Sequence, residues 1–198
     1  MIRILFVCTG NICRSPMAEA IARSIVEKYY PLHSKMFEFS SAGIAALVDH
    51  PASTEAIHAL KTKGINMTGH RGRAIESFVL EDYDLILTME NYQRRYIESL
   101  DSDKDAFLLL AYAYAARKFQ EGDELPSKEL TEVLAKQRLN EISSKLRELE
   151  GLRPEYFSSR AFEISDPLGD SLERYLKVAE LLEDTIRDII VAILDESL

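Results

Sequence analysis

The fold is decided by residues 2–26, which read IRILFVCTGNICRSPMAEAIARSIV. Residues 2–7 form a nearly continuous apolar run, which is typical of a strand buried in a parallel sheet. A turn follows at Cys8, and Ser15-Pro16 then opens a segment with apolar residues at helical spacing. We expect Ser15 to be the N-cap of a helix and Pro16 to be its first residue. The opening therefore predicts a strand, a loop and a helix in succession.

The same alternation continues along the chain. Apolar and helical patterns predict strands at residues 36–40, 84–88 and 106–110, and helices at residues 53–63, 91–100 and 171–194. Strands that are separated by helices pair in parallel through right-handed crossovers, with helices on both faces of the sheet. We therefore predict an α/β fold, a three-layer sandwich around a central four-stranded parallel sheet.

A segment without predicted strands interrupts this pattern between residue 112 and about residue 160. Its apolar residues fall at helical intervals, which indicates an amphipathic helix or a pair of helices: Leu130, Val133, Leu134, Ile142, Leu146 and Leu149. A helical addition that packs on the domain is the simpler interpretation. A surface for self-association or for contact with a partner is the alternative. The 198 residues are expected to form a single domain.

Composition excludes several classes of function. The chain has 24 basic and 33 acidic side chains and a net charge of −9, which opposes the counterion release that drives nucleic-acid binding. The apolar opening is too short for a secretion signal or a membrane span, so we expect a cytoplasmic protein without a membrane partner. The two cysteines, Cys8 and Cys13, form no disulfide framework, and the histidines lack metal-ligand spacing. Neither a metal nor another cofactor is expected.

The loop of residues 8–15 is a candidate site for anion chemistry. It joins the carboxyl end of a strand to the amino terminus of a helix, where open α/β sheets bind ligands. Backbone N–H groups and the helix dipole attract an anion there, and Arg14 can donate two parallel hydrogen bonds to phosphate oxygens. The same surroundings stabilise a thiolate, so Cys8 is predicted to be ionised at neutral pH and placed to attack phosphorus. Gly10 and Asn11 tolerate the left-handed backbone that a loop with inward amides requires.

Residues 7–19, which read VCTGNICRSPMAE, resemble the signature of the low molecular weight protein tyrosine phosphatases. Asp166-Pro167 matches the Asp-Pro pair that this family carries near its carboxyl terminus. The resemblance covers about residues 1–110 and 162–195, and it makes residues 112–160 a helical insertion that typical members lack. It implies a phosphotyrosine phosphatase I-like fold, hydrolysis through a cysteinyl-phosphate intermediate, and a phosphorylated protein or peptide as substrate.

The resemblance also implies roles for individual residues. Cys8 is the nucleophile, Arg14 holds the phosphoryl group, and Asp166 is the general acid and then the general base. The phosphate-binding loop comprises Thr9, Gly10, Asn11, Ile12, Cys13, Arg14 and Ser15. The loop-supporting network comprises Asn11, Ser15, Ser41 and His70, and Ser15 also stabilises the thiolate. Cys13 is implied as a redox partner that forms a reversible disulfide with Cys8.

Simpler structural roles stay open for three of these residues. Asp166 could be a turn residue that bonds its own backbone, since aspartate commonly does so. His70 could be a solvated loop histidine, and Cys13 could be a buried thiol that faces the first helix.

Substrate preference is open between two phosphorylated side chains. Ile12 favours phosphotyrosine, because a branched aliphatic side chain suits packing against an aromatic ring, whereas the related arginine phosphatases carry threonine at that position. Leu47, Leu168 and Gly169 stand where many tyrosine phosphatases place aromatic residues, so protein-arginine phosphatase is the alternative.

Two further functions are less favoured by the sequence. A thioredoxin-coupled arsenate reductase uses additional cysteines, which this chain lacks. A non-catalytic anion-binding module needs neither Cys8 nor Asp166.

Overall fold

The computed structural model describes residues 1–120 and 131–194. Its strands are β1 (Ile2–Cys8), β2 (Phe37–Gly43), β3 (Leu85–Thr88) and β4 (Phe107–Leu108). Its α-helices are α1 (Arg14–Tyr29), α2 (Thr54–Thr62), α3 (Asn91–Leu100), α4 (Leu109–Gln120), α5 (Glu132–Leu152), α6 (Pro154–Phe157) and α7 (Leu172–Leu194). The predicted α/β order is confirmed, and the predicted bounds of most elements are correct to within about three residues.

The four strands form one parallel sheet in the order β2-β1-β3-β4. Along β1, Ile4 and Phe6 belong to one hydrophobic core, while Leu5 and Val7 belong to the core on the other face. The first core contains residues of α1, α2, α4, α5 and α7, and the second contains Ile97 of α3. Strand β1 is therefore buried on both faces, as its continuous apolar run predicts.

Two local predictions are wrong. Helix α1 begins at Arg14 with Cys13 as its N-cap, and Ser15 lies inside the helix. The Ser15 hydroxyl is not free to cap the helix because it bonds buried groups near Cys8, described below. Strand β4 is only two residues long, since α4 begins at Leu109 in place of the last two predicted strand residues.

The segment predicted as a helical insertion is mainly helical in the residues that the structure describes. Helix α5 buries Leu139, Ile142 and Leu146, and the buried Tyr112 hydroxyl of α4 donates a hydrogen bond of 2.9 Å to the Leu139 carbonyl. Val133 does not join this apolar face, because 77% of it is exposed. Leu130, the first residue of the predicted stripe, lies outside the described residues.

Candidate active site

The loop between β1 and α1 turns its carbonyl groups outward. The carbonyls of residues 8–10 accept hydrogen bonds of 3.0 to 3.1 Å from the amides of Ile44, Ala45 and Leu47, and the Ile12 carbonyl accepts one of 2.9 Å from Ser53. All peptide bonds here are trans, so the N–H that follows each carbonyl points the opposite way. Those amides have no partner among the described residues. The loop therefore presents a set of free inward N–H groups, which suits an anion.

Asn11 is the centre of the hydrogen-bond network that holds the loop. Its backbone is left-handed, with φ of 53°, as predicted for this residue. Its Nδ2 donates to the Ser15 and Ser41 hydroxyls at 2.9 and 3.0 Å, and its Oδ1 accepts from the Arg73 amide at 2.8 Å. Its carbonyl lies 2.7 Å from His70 Nε2. The four residues expected to support the loop are therefore brought together.

The glycine that the loop geometry requires is Gly43 and not Gly10. Gly10 does not adopt a positive φ, so the left-handed turn rests on Asn11 alone. Gly43, at the end of β2, lies so close to the loop that a Cβ there would stand 2.5 Å from the Thr9 carbonyl oxygen. The close approach of β2 to the loop therefore requires a residue without a side chain at position 43.

Cys8 lies at the base of the loop with its sulfur beside a hydroxyl. The distance from Cys8 Sγ to Ser15 Oγ is 3.0 Å, and the same hydroxyl lies 3.2 Å from the Ala42 carbonyl. A serine hydroxyl has one proton, so it donates to only one of these acceptors at a time. When Cys8 is a thiolate, donation to the sulfur is the stronger bond, because the acceptor is charged.

Arg14 is buried and paired with two carboxylates. Only 1% of its side chain is exposed; NH1 binds Glu90 and the Ile164 carbonyl, and NH2 lies 2.6 Å from Asp166 Oδ2. Burial disfavours the charged guanidinium, but the charges of Cys8, Glu90 and Asp166 outweigh burial and raise the pKa of Arg14. Its buried Nε has no hydrogen-bond partner among residues 1–120 and 131–194. That unpaired donor is available to a phosphate oxygen.

Asp166 serves both the turn and the cavity. Its Oδ1 accepts the Leu168 amide at 3.2 Å, which is the turn role that aspartate commonly plays, while Oδ2 accepts from Arg14. Its side chain is 39% exposed. The carboxylate thus stands at the mouth of the site with one oxygen tied to the backbone and the other to a group that a ligand can also bind.

Cys8, Arg14 and Asp166 line a single cavity of about 220 Å³. Its other lining residues are Thr9, Gly10, Ile12, Cys13, Ala45, Leu47 and Leu168. The floor is therefore the anion-binding loop, and the walls are mainly aliphatic. This arrangement can bind a phosphate monoester and can place a thiol and a carboxyl group on it.

Cys13 is held differently from Cys8. Its sulfur lies 3.4 Å from Ser53 Oγ and 3.3 Å from the Tyr175 hydroxyl. Burial raises the pKa of the Cys13 thiol, against the opposing effect of these two hydroxyls. Both cysteines are free thiols in this structure. The protonated, neutral form of Cys13 is thus favoured.

His70 is partly buried against the loop. Burial lowers its pKa, although its bond to the Asn11 carbonyl acts in the opposite direction. A neutral imidazole with its proton on Nε2 donates to that carbonyl. His70 therefore contacts the loop through the Asn11 carbonyl.

Sequence reasoning missed three residues of the site. Glu90 pairs with Arg14, the Tyr92 hydroxyl contacts the Thr9 hydroxyl, and Glu19 accepts a 2.7 Å hydrogen bond from Ser41. Glu90 and Tyr92 follow β3, whose carboxyl end meets that of β1 at the same edge of the sheet. Polar residues after adjacent parallel strands converge there, and this was the available signal.

The fold and the site together define a class: an α/β protein whose cysteine-containing anion loop lies at the carboxyl edge of a parallel sheet. The sequence profile described as "Low molecular weight phosphotyrosine protein phosphatase" matches residues 3–151. The chain belongs to this family. No α-helix in the described ranges 1–120 and 131–194 is long and apolar enough to cross a membrane.

Individual relatives and structures agree with the family. A putative low molecular weight protein-tyrosine-phosphatase of Klebsiella pneumoniae is 42% identical over 99 residues, which are 50% of this chain and 61% of that protein. The chain thus spans about 61% of the length of this curated relative.

Solved structures of two kinds of phosphatase resemble the whole chain. A low molecular weight protein tyrosine phosphatase from T. tengcongensis has a TM-score of 0.65 and 29% identity, over 96% of this chain and 98% of that one. The YwlE arginine phosphatase from Geobacillus stearothermophilus has a TM-score of 0.61 and 25% identity, over 95% and 90%.

Proposed function

We propose that the chain hydrolyses phosphotyrosine in proteins or peptides through a cysteinyl-phosphate intermediate. The observation that carries this proposal is the single cavity of about 220 Å³ in which Cys8, Arg14 and Asp166 meet above the inward amides of the loop. A nucleophile, an anion-binding group and a proton donor are the three parts that phosphoryl transfer to an enzyme side chain needs.

In the first step, the Cys8 thiolate attacks phosphorus while the loop amides and Arg14 bind the phosphate oxygens. An S–P bond forms and the P–O bond to the substrate breaks. Protonated Asp166 gives its proton to the departing oxygen, because expelling an unprotonated alkoxide or phenoxide is costly. Phosphate competes with Asp166 for the Arg14 NH2 group and has the unpaired Nε as a second donor. Substrate binding therefore frees the carboxyl group for proton transfer.

In the second step, water attacks the phosphocysteine. The Asp166 carboxylate takes a proton from that water, an O–P bond forms, and the S–P bond breaks to return the thiolate and inorganic phosphate. The Ser15 hydroxyl, 3.0 Å from the sulfur, stabilises the thiolate both before the first step and after the second.

The aliphatic walls of the cavity favour an aromatic leaving group. Ile12, Ala45, Leu47 and Leu168 line it, and such side chains pack against the faces of a phenyl ring. Tyr92, whose hydroxyl contacts Thr9 in the loop, lines the adjoining groove. A protein-arginine phosphatase is the second candidate, since structures of both kinds match with similar TM-scores, 0.65 and 0.61.

The test is hydrolysis of p-nitrophenyl phosphate and of matched peptides that carry phosphotyrosine or phosphoarginine. Wild type should cleave the aryl phosphate, and Cys8→Ser should lose at least about 10⁴-fold in kcat. A higher kcat/KM on phosphotyrosine, and a relative gain on phosphoarginine in Ile12→Thr, would support the tyrosine assignment. Turnover that survives in Cys8→Ser would disprove the cysteinyl-phosphate mechanism, and a preference for phosphoarginine would establish the second candidate.

Three finer expectations stay proposals. A reversible disulfide between Cys8 and Cys13 would protect the nucleophile, since a sulfenic acid formed on Cys8 by peroxide can be captured by a neighbouring thiol with loss of water. Peptide mapping after limited peroxide treatment tests it. A cytoplasmic location and self-association through α4–α6 are tested by cell fractionation and by sedimentation.

A further inference from the structure

A groove of about 730 Å³ is lined by residues that contact or adjoin residues of the catalytic cavity. Glu90 lines the groove and pairs with Arg14, and Tyr92 lines it while its hydroxyl contacts Thr9 in the loop. Ser165, the residue before Asp166, also lines the groove. A polypeptide with a phosphorylated side chain in the cavity would therefore have its neighbouring residues at this groove.

Two exposed arginines line the groove. Arg95 comes from α3, and Arg160 comes from the turn that follows α6. Both are exposed, and neither guanidinium has an ion pair or hydrogen bond with any residue in the described ranges.

The carboxylates of the groove, in contrast, are already engaged. Glu90 binds Arg14 and also accepts a 3.1 Å bond from Gln93 Nε2. Glu163 Oε1 accepts from the Asn91 amide and from Asn91 Nδ2, each at 3.0 Å. The two guanidinium groups are therefore the charged groups of the groove that remain available to pair with a carboxylate of a ligand.

We propose that this groove is a substrate subsite in which Arg95 and Arg160 bind an acidic side chain, Asp or Glu, next to the phosphorylated residue. The inference rests on the proposed function and deepens it. Arg160 belongs to the segment that precedes Asp166, so that segment would contribute directly to substrate choice. A carboxylate that pairs with an arginine gains charge-assisted hydrogen bonds, and two arginines in one groove accept it on either side.

The experiment compares three phosphotyrosine peptides that differ only in the residues flanking the phosphotyrosine, which are glutamate, alanine or lysine. The readout is the ratio of kcat/KM between the glutamate and alanine peptides. We expect about fivefold in wild type, a value in the range for exposed ion pairs, and a ratio near one in Arg95→Ala/Arg160→Ala. In Arg95→Glu/Arg160→Glu the lysine peptide should become the best substrate. Raising the ionic strength about tenfold should also reduce the wild-type ratio.

Lys28→Glu is the matched control for the change of charge. Lys28 lies in the last turn of α1, about 20 Å along the helix from the loop, so its reversal should leave the peptide ratio as in wild type. A wild-type ratio near one, or a ratio that persists in the Arg95→Ala/Arg160→Ala variant, would overturn the subsite.

Failure of the proposed function would give a different result. In that case wild type would not hydrolyse p-nitrophenyl phosphate at all. The subsite would then still be tested by fluorescence anisotropy of the same three peptides with Cys8→Ser. Weaker binding of the glutamate peptide after removal of the two arginines supports the groove, and equal binding of all three peptides overturns it.

Discussion

The phosphate loop and the carboxylates that bind Arg14 are held in place by different interactions. The loop, residues 8–15, is held by buried hydrogen bonds that its carbonyls and Asn11 make with surrounding segments. The carboxylates of Glu90 and Asp166, which we call the wall, are held by their charges on Arg14; Asp166 lines the cavity, and Glu90 lines the adjoining groove. Substitutions that disturb the loop should therefore lower both the free energy of unfolding and the catalytic rate. Substitutions in the wall should lower mainly the catalytic rate.

The largest effect should come from the wall at Asp166. In Asp166→Asn the side chain keeps its size but offers one oxygen where aspartate offers two, and it carries no acidic proton, so kcat should fall about 10²- to 10⁴-fold. The loss should be greater for phenyl phosphate than for p-nitrophenyl phosphate, whose leaving group needs less protonation. Thermal unfolding should shift little. Asp170→Asn, at an exposed position in the same turn, is the control, and an equal loss there would contradict the role of Asp166.

The next largest effect should come from Gly43, the residue of β2 that lies against the loop. In Gly43→Ala the new Cβ would stand 2.5 Å from the Thr9 carbonyl oxygen, so the strand or the loop must move. We expect a loss of about 2 kcal/mol in the free energy of unfolding, together with weaker inhibition by phosphate. Gly151→Ala in α5 has open space and should instead stabilise by about 0.5 kcal/mol. A stable Gly43→Ala enzyme with normal phosphate inhibition would remove the distinction drawn above.

A substitution at Glu90 tests whether the charge of the wall orients Arg14, which belongs to the loop. Glu90→Gln keeps an oxygen for Arg14 NH1 but removes the charge, so the guanidinium should be less firmly oriented. We expect kcat/KM to fall about tenfold, with KM for the phosphorylated substrate rising. Glu98→Gln, an exposed partner of Arg94, is the control. Unchanged kinetics in Glu90→Gln would mean that Asp166 and the Ile164 carbonyl orient Arg14 without it.

The smallest effect should be the pH dependence contributed by His70. Burial lowers its pKa in the folded protein, so the unfolded chain binds the proton more readily. The contribution to stability is therefore present above the ordinary histidine pKa of about 6.5 and is lost as pH falls through and below it. Urea unfolding between about pH 7 and pH 5 should show this loss in wild type and less of it in His70→Gln. His58 is exposed, so His58→Gln should show the same pH dependence of the free energy of unfolding as wild type. An unchanged pH dependence in His70→Gln would refute the prediction.

The fold was largely predictable because strand and helix patterns are local. The continuous apolar run of β1 and the periodicity of α3 and α7 placed those elements closely. The errors arose where tertiary contacts compete with local preference. Ser15 has the residue type of an N-cap, but its hydroxyl is used by Cys8 and Asn11. Val133 has the spacing of a core residue but is exposed.

The part of the site that is contiguous in the sequence was predictable, and the part contributed by distant segments was not. Cys8, Asn11, Arg14 and Ser15 lie within eight residues, so their spacing alone indicated a common purpose. Glu90 could be placed at Arg14 only once the register of β1 and β3 was known, because 76 residues separate the pair in the chain.

By itself, the sequence determined a parallel α/β sheet, an anion loop with a thiol and a guanidinium, and a family resemblance that located Asp166. These follow from hydrophobic periodicity and from the short-range geometry of a strand, a turn and a helix. Only the tertiary structure decided which carboxylates share Arg14, which thiol has hydroxyl partners away from the cavity, and that two arginines of distant segments line one groove without a partner in the described part of the chain. Those arrangements depend on how separate elements pack, and packing brings together residues whose separation along the chain carries no information about their distance in space.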